Sequence, residues 1–413
     1  MTRARAAGPN FDRTDVRHMR AALDLAERGR GTTHPNPVVG AVIVSADGRR
    51  VLASGYHQRA GGPHAEAVAL SQLPAGMAGK APGATLYVTL EPCCHTGRTG
   101  PCTEAILQAQ ITRVVIGCTD ENPVVSGRGV ARLRRAGVRV DVGCLQEEMR
   151  AQNRGFFRWI RDRRPHVILK AAASLDGFLA PAGKRAPGDI HWLTGAAAGA
   201  VTHQMRARHD AIMVGAGTVI ADDPRLTVRR TGELGKTPAQ AQRDDDANAR
   251  LLRVVLDGRL RTPPGATLFR QAKARRPLVI GGRPPRLTAA EKAALERRQR
   301  ALSAQADVVL LPSDRHGRIP AAAVLGLLGE RQVQSLLLEG GGGLHATFIN
   351  DGLVDEVAMF LAPQLLGGGV PIAAGPGLPA GQALRLGPLR AIQLAGDILV
   401  TADVVRDPPR TRR

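Results

Sequence analysis

Apolar and polar positions alternate along the first 150 residues in a way that predicts both helices and strands. Apolar residues recur at helical spacing over 14–29, and the run VVGAVIVS at 38–45 predicts a buried strand. The Asp47-Gly48 turn signal predicts that 50–55 forms its hairpin partner. Further strands are expected at 84–90, 113–118 and 138–143, with helices that begin at His64 and Cys102 and cover 127–136 and 145–160. This alternation favours an α/β layered domain with a largely parallel sheet.

A charged segment that ends in proline, 161–165, separates this region from a second α/β pattern. Short apolar runs there predict buried strands at 166–174, 210–216, 252–258, 277–281, 306–312 and 335–340. The polar segment 229–250 is expected to be a solvated surface insertion, and the tail 406–413 to be disordered. The sequence therefore predicts two domains, 1–160 and 166–405.

The net charge of the chain indicates which kinds of partner it can bind. The net charge is +21, from 57 Lys and Arg against 36 Asp and Glu, which suits an anionic partner. The excess is spread along the chain, and with 2 Trp and 2 Tyr there are few platforms on which bases could stack. We therefore expect no nucleic acid among its partners. No apolar run of about 18 residues predicts a membrane helix, and no signal peptide is recognisable, so a cytoplasmic location is expected.

Three of the 5 cysteines lie within ten residues of one another, at Cys93, Cys94 and Cys102. An odd number of cysteines in a cytoplasmic chain argues against a disulfide framework. One imidazole and two thiolates, from His64, Cys93 and Cys102, suit Zn²⁺ and leave its fourth position to water, as in catalytic sites. Cys94 is the alternative to Cys102, and it is disfavoured because adjacent cysteines rarely both reach one ion. Glu66, two residues after His64, is placed to take a proton from that water and return it to a substrate.

The order His-x-Glu followed by Pro-Cys is the signature of zinc deaminases, in which the second cysteine usually follows three residues later. Here it follows nine residues later. With this spacing, THPNPVVGAVIV (33–44), GYHQRAGGPHAE (55–66) and TLEPCCHTGRTGPC (89–102) resemble the deaminase half of the bifunctional riboflavin-biosynthesis deaminase–reductase family. LKAAASLDG (169–177), HWLTG (191–195), RARHDAIMVGAGTVIADDPRLTVR (206–229) and LLLEGGGGLHATFI (336–349) resemble its reductase half.

The resemblance implies an α/β protein of two parts: an N-terminal cytidine-deaminase-like α/β/α layered domain and a C-terminal dihydrofolate-reductase-like α/β domain. The first would hydrolyse the 2-amino group of a diaminopyrimidinone ribosylamine 5′-phosphate, and the second would reduce the ribosyl group to ribityl with NADPH. The resemblance places Asn36, His95 and Arg98 at the deaminase substrate. A homo-oligomer is expected.

In the reductase half the resemblance places two sets of residues. The cofactor positions are Ala172, Trp192, Thr218, Asp222 and the run Gly341, Gly342, Gly343, Leu344, His345, Ala346 and Thr347. The substrate positions are Arg206, Leu226, Arg229 and Glu339. Backbone amides in a glycine run that opens a helix can approach a phosphate closely. Lys170 and Asp176 could be catalytic or could support the site.

Two departures from the family pattern leave alternatives open. The family commonly has a substrate-contacting serine where Ile190 stands, and often a small polar residue near the cofactor where Gly258 stands. A deaminase with an inactive or altered reductase half is therefore one alternative. The others are a deaminase of nucleic-acid bases, suggested by the charge, and a non-catalytic protein with a structural zinc.

Overall fold

The computed structural model describes residues 10–95, 100–122, 126–183, 191–229, 237–271 and 274–406. The chain divides into two compact units between Arg163 and Arg164, called unit 1 and unit 2 below. Among the described residues, no helix is both long enough and apolar enough to cross a membrane.

The described part of unit 1 forms a sheet of five strands covered by helices. The strands are β1 (Gly40–Val44), β2 (Val51–Tyr56), β3 (Thr85–Leu90), β4 (Arg113–Cys118) and β5 (Arg139–Val142). The helices are α1 (Arg13–Glu27), α2 (Ala65–Ser71), α3 (Cys102–Gln108), α4 (Arg128–Arg135), α5 (Gln146–Gln152) and α6 (Arg154–Asp162). Strand order is β2-β1-β3-β4-β5.

Both faces of this sheet are buried, which gives three layers. On β3, Leu86 and Val88 enter one apolar cluster with Ile106 of α3, whereas Tyr87 enters a second cluster with Met19 of α1. This is the alternation expected of a strand with helices on both sides.

Two predictions for unit 1 need correction. The sheet is mixed rather than largely parallel, because β1 pairs antiparallel with both β2 and β3. The expected helix over 145–160 is broken at Asn153, whose side chain is buried and exchanges two hydrogen bonds with the backbone of Val38. Asn153 is the last cap of α5 and the first cap of α6, so its amide serves the neighbouring loop at the break between the two helices.

Unit 2 contains a larger sheet in its described residues. Its strands are β6 (His166–Ser174), β8 (Ala211–Gly215), β9 (Leu252–Leu256), β10 (Leu278–Arg283), β11 (Asp307–Pro312), β12 (Ser335–Leu338), β13 (Glu356–Ala362), β15 (Arg390–Leu394) and β16 (Asp397–Asp403). Strand order is β11-β10-β9-β8-β12-β6-β13-β16-β15. The strands from β11 to β13 run parallel, and β16 and β15 continue the sheet antiparallel. A small separate pair joins β7 (Phe178–Ala180) to β14 (Val370–Pro371).

The helices of unit 2 are α7 (Ala196–Arg208), α8 (Ala216–Asp222), α9 (Pro238–Arg250), α10 (Thr267–Gln271), α11 (Ala289–Ser303), α12 (Ala321–Glu330) and α13 (Gly342–Asn350). The expectation of a wholly solvated insertion over 229–250 is wrong for its second part, since α9 packs on the sheet. Thr237 and Gln240 form a capping box at its start, and the amide of Asn248 exchanges hydrogen bonds with the backbone of Val228. Residues 230–236 and the tail 407–413 lie outside the described residues.

Candidate functional sites and family membership

Three side chains of unit 1 meet at the ends of three elements. His64 directly precedes α2, Cys93 follows β3, and Cys102 is the first residue of α3. Nδ1 of His64 lies 3.6 Å from Sγ of Cys93 and 3.3 Å from Sγ of Cys102. These three ligand atoms all lie within 4.8 Å of one another, and Cys94 does not belong to this group in the described residues.

The spacing of these atoms fits a tetrahedral ion. Zinc bonds of about 2.3 Å to sulfur and about 2.0 Å to imidazole nitrogen, at a tetrahedral angle, hold nitrogen and sulfur about 3.5 Å apart. The two measured distances lie on either side of that value. The donor set of one nitrogen and two sulfurs is also one that zinc prefers. Three protein ligands leave one position of the tetrahedron free.

The electrostatics of this cluster favour a thiolate. The pKa of Cys93 is lowered to about 4, because its sulfur accepts a hydrogen bond from the Cys102 thiol and interacts with His64. The backbone N–H of Cys102 also donates to Sγ of Cys93 at 3.4 Å. Glu66 lies in the first turn of α2 beside the cluster, and burial raises the pKa of its carboxyl group.

Asn36 is held in place by a histidine that the sequence analysis missed. Nδ2 of Asn36 donates to Nε2 of His57 at 3.2 Å, and Nδ1 of His57 donates to the carbonyl oxygen of Pro63 at 2.9 Å. His57 is therefore neutral, and burial lowers its pKa. Its ring centre lies 5.5 Å from that of His64, so Asn36 is tied to the rim of the cluster formed by His64, Cys93 and Cys102. His57 lies inside the motif GYHQRAGGPHAE, which could have drawn attention to it.

A second missed residue braces the loop that carries Cys93. The carboxylate of Glu91 is buried and accepts hydrogen bonds from the backbone N–H groups of Asp120, Gly127 and Val130 at 2.9–3.2 Å. The backbone at these three residues is thereby fastened to the residue two places before Cys93. Of the other predicted substrate residues, His95 is exposed and Arg98 lies outside the described residues.

Unit 2 has a buried polar centre formed by three of its elements. Nε and Nη2 of Arg206, on α7, donate to the two carboxylate oxygens of Glu339, each at 2.8 Å. Nζ of Lys170, on β6, lies 4.0 Å from Oε2 of Glu339. Burial alone would raise the pKa of Glu339, but Arg206 and Lys170 outweigh it and lower the pKa to about 2. Burial lowers the pKa of Lys170.

The segment 226–229 forms a border of this centre. Nη1 of Arg206 donates to the carbonyl oxygen of Thr227, and the side chain of Arg229 contacts the hydroxyl of the same threonine. Leu226 lies at a predicted substrate position, with its side chain buried in the apolar core and its carbonyl oxygen accepting a hydrogen bond from Nε of Arg253.

The glycine run lies beside the predicted residue Thr218. A Cβ added to Gly341 would lie 3.4 Å from Oγ1 of Thr218. A Cβ on Gly342 would lie 2.3 Å from the carbonyl oxygen of Pro371, so packing requires glycine there, whereas a Cβ on Gly343 would meet no atom within 4 Å. Gly343, Ala346 and Thr347 line a cavity of about 650 Å³. The run therefore offers open backbone to a ligand.

The other predicted cofactor residues differ in position and exposure. Ala172 lies two residues after Lys170 on β6 and so shares its face of the sheet, and Asp222 lies one turn after Thr218 on α8. Trp192 leaves 73% of its surface exposed, which is unusual for so large an apolar ring. Leu344 and His345 are buried, so their side chains face the protein rather than a ligand.

Asp176, whose role was left open, supports a loop. Its carboxylate accepts hydrogen bonds from the hydroxyl of Ser174 and from the backbone N–H groups of Leu366 and Gly367. These bonds tie the turn after β6 to the segment before β14.

Comparison with known proteins decides the family. A model of the RibD C-terminal domain matches residues 165–400, and a model of the cytidine and deoxycytidylate deaminase zinc-binding region matches residues 12–118. The riboflavin biosynthesis protein RibD of Actinobacillus pleuropneumoniae is 38% identical over 398 residues, which is 96% of this chain and 96% of that protein. The chain belongs to the RibD family. RibD of Escherichia coli K12 is 40% identical over 354 residues, 86% of this chain and 89% of that one.

Solved structures agree with this membership. RibD of Acinetobacter baumannii covers 95% of this chain and 99% of its own, with 36% identity and a TM-score of 0.77. A diaminohydroxyphosphoribosylaminopyrimidine deaminase/5-amino-6-(5-phosphoribosylamino)uracil reductase of Thermotoga maritima has the same coverage, with 32% identity and a TM-score of 0.72. The predicted fold class, a cytidine-deaminase-like domain followed by a reductase domain of the dihydrofolate-reductase-like type, is confirmed. The chain is a bifunctional deaminase and reductase of riboflavin biosynthesis, with both RibD domains present.

Proposed function

We propose that unit 1 is a zinc-dependent deaminase of a 2,5-diamino-6-ribosylamino-4(3H)-pyrimidinone 5′-phosphate, with His64, Cys93 and Cys102 as ligands. The observation that carries this proposal is the convergence of one imidazole nitrogen and two sulfurs within 4.8 Å beside the buried carboxyl group of Glu66. The named activity of the Thermotoga maritima relative supports the substrate class.

The chemistry divides between the ion and the side chains of the chain. Zinc, when bound, lowers the pKa of a bound water to roughly 7 and so makes a nucleophile available at neutral pH. The carboxyl group of Glu66, whose pKa is raised by burial, would accept a proton from the attacking water and return it to the departing amino group. Asn36, whose Nδ2 is held by His57, keeps its Oδ1 free to orient the pyrimidine.

We propose further that unit 2 uses NADPH to reduce the ribosyl group to ribityl. The cofactor supplies the hydride, and the chain orients cofactor and substrate. The glycine run and Thr218 would hold cofactor phosphates, and Trp192 would lie against the cofactor. Arg206, Glu339 and Lys170 form a fixed polar surface against which the ribosyl hydroxyls can be oriented, since each of these charges already has a partner of opposite sign.

The zinc proposal is tested by metal content and ammonia release measured on the same preparations. The wild-type chain is expected to hold one zinc per chain and to release ammonia from the diamino substrate. Cys102→Ala should lose the metal, whereas the neighbouring Cys94→Ala should keep it. Glu66→Gln should keep the zinc and lose ammonia release. A Glu66→Gln variant with normal ammonia release would favour a structural zinc and contradict the assigned role.

A deaminase with an altered reductase half remains the second candidate, because of Ile190 and Gly258. Ile190 lies outside the described residues. At position 258 a Cβ would lie 1.7 Å from the carbonyl oxygen of Gly317, so no side chain of any kind fits there. Gly258 therefore offers the cofactor no side-chain contact, and any polar contact that the family makes from this position must be supplied here by other residues.

A further inference from the structure

The segment 226–229 of unit 2 has a strained backbone. It belongs to neither a helix nor a strand, and it follows α8 along the chain. Leu226 has a φ of +48°, in the left-handed region that residues other than glycine rarely adopt. Its side chain, only 3% exposed, packs in the apolar core. A conformation of this kind persists only where the surrounding structure enforces it, and such strain concentrates at functional sites.

Two linked polar side chains hold the segment in this conformation. Nε of Arg253, on β9, donates to the carbonyl oxygen of Leu226 at 3.1 Å. The amide of Asn248, on α9, accepts from the backbone N–H of Val228 at 2.8 Å and donates to the carbonyl oxygen of the same residue at 3.0 Å. Nη2 of Arg253 also donates to Oδ1 of Asn248 at 3.1 Å. The two side chains therefore act together as a clamp on the backbone.

Arg253 is an unusual residue for the interior of a sheet. It is only 1% exposed, and its Nη1 donates to the carbonyl oxygens of Asn248 and Leu251. In the described part of the chain it pairs with no carboxylate. Burial, with a contribution from the charge of Arg206, lowers its pKa to about 10, so it is still a cation at neutral pH. A buried cation without a counter-ion is costly, which indicates a role beyond packing.

The clamp leaves two backbone donors of the segment without a partner. Among the described residues, the N–H groups of Leu226 and Thr227 have no acceptor, although both residues are buried. The peptide bond between them is trans, so the N–H of Thr227 points opposite to the carbonyl oxygen that Arg253 holds. Buried N–H groups are rarely unpaired in proteins. The missing acceptor is therefore expected from a ligand.

The charges around the segment favour an anionic acceptor. Burial, and then the charges of Arg206 and Arg229, lower the pKa of His203 to about 4. The carboxylate of Glu339 is already engaged by Arg206 and Lys170. Successive N–H groups at a left-handed residue form a concave site that suits an anion, and surrounding cations strengthen it. The anionic group of the proposed substrate is its 5′-phosphate.

We propose that Arg253 is a positioning residue of the reductase, which holds the carbonyl oxygen of Leu226 so that the backbone N–H groups of Leu226 and Thr227 are presented to the phosphate of the substrate. The inference rests on the proposed reductase function of unit 2. Arg253 itself does not touch the substrate. It acts through the backbone of the segment, and it contributes to affinity for the phosphorylated pyrimidine rather than to hydride transfer.

The test is the kinetics of NADPH oxidation by the full chain with Arg253→Met, which removes the donors but keeps a long unbranched side chain. The KM for the deaminated pyrimidine 5′-phosphate should rise about tenfold or more, because contacts to a charged group are misplaced. The kcat should change less than about twofold, since these contacts are the same in the ground state and the transition state. The dephosphorylated pyrimidine, measured as a competitive inhibitor, should keep its inhibition constant within about twofold, because it lacks the group concerned.

Arg253→Lys is a second variant that keeps a cation at this position. Its single ammonium group cannot reach Leu226 and Asn248 with the fork of a guanidinium group. It should therefore show the same selective rise in KM, by a smaller factor than Arg253→Met. If Arg253→Met does not fold, Arg253→Lys decides the question by the same two constants.

The matched control is Arg275→Met. Nη1 of Arg275 donates to the carbonyl oxygen of Arg250, at the end of α9, so this variant also loses an arginine-to-carbonyl bond in unit 2. It loses none to the segment 226–229, and both constants should stay near wild type. An equal rise of both constants in the Arg253 variants would show a merely structural role and would overturn the inference. A fall in kcat with an unchanged KM, or no change in either constant, would overturn it as well.

The failures of the two proposals are distinguishable. If the wild-type chain oxidises NADPH with the deaminated substrate but the Arg253 variants show no selective loss for the phosphorylated pyrimidine, the reductase proposal stands and the role of Arg253 is wrong. If the wild-type chain does not oxidise NADPH with that substrate, the reductase proposal itself is wrong and this inference falls with it.

Discussion

Nε2 of His345 accepts a hydrogen bond of 3.1 Å from the backbone N–H of Gly340, the first residue of the glycine run. Because Nε2 accepts this hydrogen bond, it carries no proton. The ring proton is therefore on Nδ1, which donates to the carbonyl oxygen of Ile372 at 2.9 Å. His345 is therefore a buried neutral histidine that holds the glycine run in shape. Protonation of Nε2 would replace this hydrogen bond by two facing donors.

Unit 2 should lose stability in mild acid because of this histidine. Burial, with a contribution from Lys170, lowers the pKa of His345 to about 4 from 6.5. The unfolded chain binds a proton below pH 6.5 that the folded chain refuses until about pH 4, so stability is full above this window and falls as the pH drops through it. The loss for one such group is roughly 3 kcal/mol.

The measurement is urea unfolding of unit 2 across that pH window for the wild-type chain and His345→Gln. The variant should be less stable at neutral pH but should lose less stability on acidification. His203, whose pKa burial also lowers to about 4, should keep part of the pH dependence in both proteins. An unchanged slope in His345→Gln would mean that His345 does not titrate in this window.

Glu339→Gln should separate the two activities. The substitution removes the charge that pairs with both Arg206 and Lys170, so the oriented polar surface of unit 2 is lost while the cluster of unit 1 keeps all its contacts. NADPH oxidation with the deaminated substrate should fall by about a hundredfold or more, whereas ammonia release should change less than about twofold. Glu330→Gln, an exposed carboxylate of the same unit, is the control. Equal loss of both activities would show that the effect is global misfolding.

Glu91→Gln should weaken the loop that carries Cys93. Its carboxylate accepts three backbone N–H groups, and an amide would turn its own donor toward at least one of them. Leaving a buried donor without an acceptor costs about 1–3 kcal/mol, so unit 1 should melt at a lower temperature and release its metal to a chelator faster.

The control for Glu91 is Glu104→Gln, which breaks an exposed ion pair with Arg132 on the same unit. Exposed pairs contribute roughly 0–1 kcal/mol, so both the melting temperature and the metal release should stay near wild type. Metal release from Glu91→Gln at the wild-type rate would mean that the brace does not support the ligand loop.

The motifs made part of this architecture predictable. The grouping of His64, Cys93 and Cys102 could be predicted because these residues lie in short motifs near the ends of apolar strands and helices. The contacts of Glu91 could not, since its donors lie 29 to 39 residues further along the chain. The pairing of Arg206 with Glu339 likewise depends on how the parallel sheet brings α7 beside the end of β12. Strands β13 and β16 were missed because their partly exposed faces dilute the apolar signal, and α9 because its polar composition hides the buried Ala247.

The central claim, that this chain deaminates a pyrimidine and then reduces the ribosyl group attached to it, is tested most directly with Glu66→Gln assayed on both substrates. The wild-type chain given the diamino substrate and NADPH should release one ammonia for each NADPH oxidised. Glu66→Gln should lose both signals with that substrate, yet oxidise NADPH normally when given the deaminated pyrimidine. NADPH oxidation by Glu66→Gln with the diamino substrate, or a wild-type chain that releases no ammonia, would contradict the account.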